Sequence, residues 1–184
     1  MIVIPSPIEE TVSGPTVRAA TGDDIPTIAD IYAYYVTNSV ATFELEPPDH
    51  ADWLRRYRAV TTAGLPFLVA EHPDLPPGPA GYAYCSPWKA RPAYRHTAED
   101  SVYLDPHARG RGIGGALLDR LLAGCVEAGV RQVLAVIADS GDPASPALHT
   151  GRGFAEVGRL REVGFKHGRW LDTVLLQRTL TGQA

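Results

Sequence analysis

The chain has 184 residues, 45% of them hydrophobic, and a formal net charge of −4. That length buries a core of its own and fits one domain better than two. An acidic balance without clustered Lys and Arg leaves no electrostatic footprint for nucleic acid or an anionic membrane, so small molecules are the expected partners. Nothing approaches the roughly 18 consecutive apolar residues of a membrane span, and no basic region precedes an apolar signal core, so a cytoplasmic protein is expected.

Residues 1–15 carry three prolines and no helical period, which predicts a loose arm ahead of a domain over 16–181. Ile25, Ile28, Ala29, Ile31, Tyr32 and Tyr35 recur at three- and four-residue spacing and predict a first amphipathic helix. A second is expected from Asp49 or His50 through Trp53, Leu54, Tyr57 and Val60 to a stop at Gly64. Phe67–Glu71 and Ala80–Cys85 read as a hairpin across a proline-rich loop, and Asp100–Leu104 as a third strand. A helix over Gly112–Ala128 puts Ile113, Leu117, Leu121 and Cys125 on one stripe, followed by an apolar central strand at Gln132–Ala138. Asp142-Pro143 reads as the cap of a short helix reaching about Arg152, one that Pro146 interrupts. Phe154–Leu160 and Leu171–Thr179 close the chain as strands joined by a loop over Val163–Gly168. Strands alternating with helices predict an α/β layer fold with a mixed sheet. Cys85 and Cys125 lack metal-ligand spacing and are expected to be buried reduced thiols.

The segment from Val102 to Gly115 is the most informative. It links a strand to a helix through Arg109, Gly110, Arg111, Gly112, Ile113, Gly114 and Gly115. Amides at a helix start lack internal partners, carry the positive end of the helix dipole, and approach an anion closely where side chains are absent. A pyrophosphate fits there. A dinucleotide-binding turn is disfavoured because the strand comes late and no acidic ribose ligand follows, and a Walker loop is excluded because no Gly-Lys-Ser/Thr is present. A purely structural turn needs neither four glycines in six positions nor flanking arginines.

Arg109, Gly112 and Gly114 match the Arg/Gln-x-x-Gly-x-Gly signature, and on these residues the chain resembles the GNAT acetyltransferases. Four further segments are similar to one subgroup, the phosphinothricin and methionine-sulfoximine N-acetyltransferases. They are Thr42–Pro47, Pro87–Tyr94 leading into Thr97–Tyr103, Ala144–His149, and Val163–Asp172. The resemblance implies the GNAT fold as a single domain, acetyl-CoA as co-substrate, and transfer of acetyl to the α-amine of a small L-amino acid. It implies that the Gly110–Gly115 amides hold the pyrophosphate, that Val102, Tyr103 and Leu104 run beside the pantetheine arm, and that Glu99 is the base. An α-amine is mostly protonated at neutral pH, so such a base is required. The resemblance further implies an anion clamp from Lys89 and Arg91, an apolar wall from Phe43, Trp88 and Tyr94, and a closing loop of Phe165, Lys166 and His167, often across a homodimer interface. His149 matches a family histidine that serves either packing or the active site. Asp142 stands where the family has an asparagine reaching the CoA arm, a different donor inventory. The alternatives are another amine acceptor, such as a polyamine or a protein N-terminus, or a non-catalytic acetyl-CoA-binding module.

Overall fold

The computed structural model describes residues 14–180. The arm expected over residues 1–15 therefore lies almost wholly outside the described residues. Seven strands form one sheet in the order β1-β2-β3-β4-β5-β7-β6. They are β1 (Thr16–Ala19), β2 (Phe67–Glu71), β3 (Gly81–Pro87), β4 (Thr97–Leu104), β5 (Gln132–Ala138), β6 (Ala155–Lys166) and β7 (Arg169–Thr179). Four α-helices flank the sheet: α1 (Ile25–Asn38), α2 (His50–Thr62), α3 (Ile113–Glu127) and α4 (Ala144–Thr150).

Helix α1 is rich in Ile and Tyr, which are mediocre helix formers costing about half a kcal/mol each against Ala. Their spacing decides the outcome. Ile25, Ile28, Ile31, Tyr32 and Tyr35 are all buried, and burial returns about 1.5–3 kcal/mol per large apolar side chain, several times the propensity cost. They pack with Trp53 and Val60 of α2 against Phe67, Val69 and Tyr82 on one face of the sheet. The opposite face packs Leu68, Ala83 and Cys85 against Leu117, Leu118, Leu121 and Cys125 of α3. Both cysteines are buried free thiols, as their sequence context predicts.

Most pairings are antiparallel. The exception places the site: β4 and β5 run parallel and are in register only from Thr97↔Gln132 to Asp100↔Ala135. Beyond that point the two strands part. Ser101–Leu104 stay paired with β3, so their edge toward β5 has no strand partner.

Three elements differ from expectation. Strand β1 was not foreseen: it is short and mostly exposed, so it shows no alternating signature. The loop expected over Val163–Gly168 is instead the end of β6 and a tight turn, with only His167 and Gly168 outside the strands. Both have positive φ, 49° and 74°, which suits a two-residue hairpin turn of the primed kind. Pro146 does not interrupt α4, because it lies in the first turn, where a backbone N–H has no helical partner to lose.

Candidate active site

The parting of β4 and β5 opens a cleft of about 610 Å³ through the sheet. At one end stands the start of α3. Gly110 and Gly112 have φ of 77° and 76°, a left-handed conformation that glycine adopts without strain. It turns the chain so that Ile113, Gly114 and Gly115 form the first helical turn, with amides that have no intrahelical acceptor. Gly110, Gly112, Ile113, Gly114 and Gly115 all line the cleft, whereas Arg111 is exposed outside it. The free amides, the dipole and the absent side chains fit a pyrophosphate.

Arg109 is held beside this turn. Its guanidinium lies 5.8 Å from the Tyr35 ring centroid, 3.4 Å from the Tyr35 hydroxyl and 3.6 Å from the Asp142 carboxylate. The Tyr35 hydroxyl donates to the Leu104 carbonyl at 2.7 Å, which fixes the end of β4 against α1. Asp142 also accepts from the Ala144 amide at 2.9 Å, capping the approach to α4, although the helix starts at Ala144 rather than at Pro143.

The middle of the cleft is β4 itself. Strand alternation sends Glu99, Ser101 and Tyr103 to the α1/α2 face and Asp100, Val102 and Leu104 to the α3 face, and all of them line the cleft. Burial, followed by the neighbouring Asp100 charge, raises the Glu99 pKa above the ordinary Glu value. On the other face His149 Nε2 lies 2.9 Å from Asp100 Oδ2, and Nδ1 lies 2.7 Å from the Ser145 carbonyl oxygen. Both ring nitrogens therefore meet acceptors, which an imidazolium satisfies and a neutral ring does not. Burial alone lowers the His149 pKa, but the bond to Asp100, that carboxylate's charge and the Ser145 carbonyl outweigh it, and the pKa is raised. Among the described residues Asp100 Oδ1 has no partner.

The far end is formed by the α1–α2 connection. Ala41, Thr42, Phe43 and Glu44 line the cleft with Tyr32, Tyr84 and Arg56. The β6–β7 hairpin grips this connection from behind. Lys166, buried, donates from Nζ to the Thr42 carbonyl at 2.8 Å, and His167 Nε2 donates to the Ser39 carbonyl at 3.3 Å. Phe43 sits on Gly164 so closely that a Cβ there would run into its ring.

Of the residues singled out in the sequence, Glu99, Phe43, Val102, Tyr103, Leu104, Arg109, Asp142 and the four glycines share this cleft. Trp88, Lys89, Arg91 and Tyr94 do not line it; Lys89, Arg91 and Tyr94 are exposed, and the Lys89 ammonium lies over the Trp88 ring at 5.3 Å. Phe165 points away from the cleft and packs on Trp170, ring centroids 5.0 Å apart. Lys166 and His167 act on the loop rather than on the cavity. Sequence reading missed Tyr32, Glu44, Arg56 and Tyr84. Tyr32 falls on the apolar stripe of α1 and Arg56 on a helix face that reads as solvated, so neither carries a local signal.

A strand pair that parts beside a glycine-rich helix start defines the class of protein. The chain matches the Acetyltransferase (GNAT) family model over residues 28–154 and belongs to that family. It is 48% identical over 165 residues to the phosphinothricin N-acetyltransferase of Alcaligenes faecalis, covering 90% of this chain and 82% of that one. It is 34% identical over 169 residues to the L-methionine sulfoximine/L-methionine sulfone acetyltransferase of Salmonella typhimurium, covering 92% and 96%. The structure of a GNAT superfamily phosphinothricin acetyltransferase from Sinorhizobium meliloti in complex with AcCoA superposes with a TM-score of 0.85 at 45% identity, covering 90% of this chain and 88% of that one.

Proposed function

We propose that this protein transfers the acetyl group of acetyl-CoA to the α-amine of a small L-amino acid of the phosphinothricin or methionine-sulfoximine type. The observation that carries the reading is the alignment of three features along one cleft: free first-turn amides of α3, the unpaired edge of β4, and the part-buried carboxyl of Glu99.

In this reading the amides of Ile113, Gly114 and Gly115 hold the pyrophosphate, with Arg109 beside them, and the edge of β4 that faces away from β3, at Val102 and the Leu104 amide, bonds the pantetheine amides while Tyr103 runs alongside. Bound acetyl-CoA supplies the activated acyl group. Glu99 takes the proton from the acceptor ammonium, directly or through water, so that a neutral amine is presented to the thioester carbon. Its raised pKa brings the carboxylate closer to the amine in basicity and makes the transfer easier. Phe43 forms the apolar wall. The reduced thiols of Cys85 and Cys125 suit a cytoplasmic enzyme.

Homodimer formation is part of the same proposal. Val157, Leu160, Val163, Phe165 and Trp170 are exposed together on the β6–β7 hairpin, an apolar surface that a second copy would cover. Trp88, Lys89, Arg91 and Tyr94 stand outside the cleft in the single chain, and assembly is the step that would bring such residues against a substrate.

The test is a screen of amines with acetyl-CoA, read as free thiol. Phosphinothricin, methionine sulfoximine and methionine sulfone are expected to release thiol with formation of the N-acetyl product. Release by a polyamine or a peptide with N-terminal alanine, and not by these amino acids, overturns the reading.

A further inference from the structure

At the end of the cleft away from the cradle, a cation has hydrogen-bonding capacity that is largely unused. Three basic side chains line the cleft: Arg109, His149 and Arg56. Arg109 stands at the cradle end against Tyr35 and Asp142, and His149 has both nitrogens committed to Asp100 and Ser145. Arg56, on α2, is at the opposite end. Its Nη1 meets Glu44 Oε1 at 2.8 Å, and among the described residues Glu44 is its one polar partner. A guanidinium has five N–H donors in a fixed fork, so most of them remain available.

That fork rests beside two aromatic rings. The guanidinium carbon lies 5.2 Å from the Trp53 ring centroid and 6.0 Å from that of Tyr32. Trp53 is fully buried, so the support is rigid. Glu44 holds one edge of the fork and is itself within 3.3 Å of the Tyr32 hydroxyl. That phenol is pushed up to about 12, chiefly by burial, and so remains a donor. The Arg56 side chain lines the cleft and is 34% exposed, and Glu44 keeps its charge compensated when nothing is bound.

Arg56 and Glu99 lie on the same face of the sheet. Helix α2 packs over the face that carries Tyr82, Tyr84, Glu99 and Tyr103, and Tyr84 is opposite Ser101 in the β3–β4 register. The Tyr84 phenol, raised first by burial, is also acted on by both charges, lowered by Arg56 and raised by Glu99. An amino acid carries its amine and its carboxylate on one carbon, so an acceptor whose amine faces Glu99 needs a cation close by for its acid group. Lys89 and Arg91, the cations singled out in the sequence for an anion clamp, do not line the cleft of the single chain, so within one chain Arg56 is the cation on the Glu99 side, and it is a subsite additional to any that assembly supplies.

We propose that Arg56, oriented by Glu44 and held over Trp53, is a specificity-determining residue that receives an anionic oxygen of the acceptor amino acid. The assignment rests on the amino-acid N-acetyltransferase reading above. A bidentate guanidinium–oxyanion contact is among the stronger polar interactions available, and it is made equally in the ground state and in the transition state. Its loss therefore appears in KM rather than in kcat.

The test is steady-state kinetics of the wild type, Arg56→Met and Arg56→Lys, with L-phosphinothricin, L-methionine sulfone and the carboxamide of L-methionine sulfone as acceptors. Met keeps an unbranched stem against Trp53 and removes the fork. Arg56→Met is expected to raise the acceptor KM by roughly 10- to 100-fold, with kcat and the acetyl-CoA KM within about twofold. Arg56→Lys, which keeps the charge, is expected to recover part of the loss and also serves if the Met variant fails to fold. A rise for both amino acids identifies the α-carboxylate as the group bound, and the carboxamide is then insensitive to the change. A rise for phosphinothricin alone identifies the side-chain acid. Folded variants with unchanged acceptor KM overturn the subsite and leave the function standing. A wild-type enzyme that acetylates none of the three overturns the function and the subsite together.

Discussion

His149 and Asp100 form a buried pair, Nε2 to Oδ2 at 2.9 Å, that ties α4 to β4 where the sheet opens. With its other nitrogen on the Ser145 carbonyl, His149 is the cation of that pair. Removing one partner of a buried ion pair leaves the other uncompensated, at a cost of about 3–5 kcal/mol. His149→Gln is thus expected to lower Tm by roughly 6–20 °C at neutral pH, at about 2–4 °C per kcal/mol. The direction with pH follows from the raised pKa of His149. Its stabilisation is complete below the unfolded value of about 6.5 and is lost as pH rises through the higher folded value. The gap between wild type and variant therefore narrows above neutrality. Thermal melts between about pH 6 and 9 check this, and a constant gap would contradict a charged His149.

Lys166 gives a second prediction. Its ammonium, buried and bonded to the Thr42 carbonyl, holds the loop that carries Phe43 and Glu44. Lys166→Met removes one charged hydrogen bond from the scaffold and none from the cofactor cradle. The expected result is an acceptor KM raised about five- to tenfold with the acetyl-CoA KM unmoved. A variant in which both constants rise together would mean that Lys166 supports the whole fold rather than this loop.

Asp142 offers a gain. Its carboxylate lines the cleft at the cradle end and pairs with Arg109 across 3.6 Å, both side chains being about half exposed. Such a pair is weak, and its negative member stands near the place assigned to a pyrophosphate. Asp142→Asn keeps the oxygen that accepts from Ala144 and removes the charge. It is expected to tighten acetyl-CoA binding by roughly two- to fivefold, measured by calorimetry. Weaker binding by the Asn variant would show that the carboxylate itself contacts the cofactor or is needed to place Arg109.

Elements with a strong period were legible in the sequence: the stripe of α1, the apolar run of β5 and the glycine-rich entry to α3 all stand where their spacing places them. What local pattern does not encode was missed. Gly164 reads as a loop residue, yet it lies within β6, where Phe43, far away in sequence, fills the room of its absent side chain. The bulge between Leu160 and Gly164, where Glu162 has φ of 50°, further masks the strand by breaking its alternation. Arg56 looks like an ordinary charge on a polar helix face, and only the packing of α2 over β3 and β4 turns it toward the cleft. The opposite holds for Lys89 and Arg91: they sit in a distinctive motif, but the single chain leaves them at the surface.

The Glu99 carboxyl lines the cleft with a pKa raised by burial and by Asp100. A general base works only when deprotonated, so kcat/KM should fall on the acid side along a limb set above the ordinary Glu range of about 4.3. Glu99→Gln keeps the shape and removes the proton acceptor. The decisive measurement is kcat of wild type and Glu99→Gln from about pH 6 to 10 with a saturating amino-acid acceptor, followed by thiol release. We expect a loss on the order of 10²- to 10⁴-fold near neutrality, unchanged binding of both substrates, and a loss that shrinks as the free amine becomes abundant at high pH. A Glu99→Gln enzyme with wild-type kcat at neutral pH would contradict the central claim.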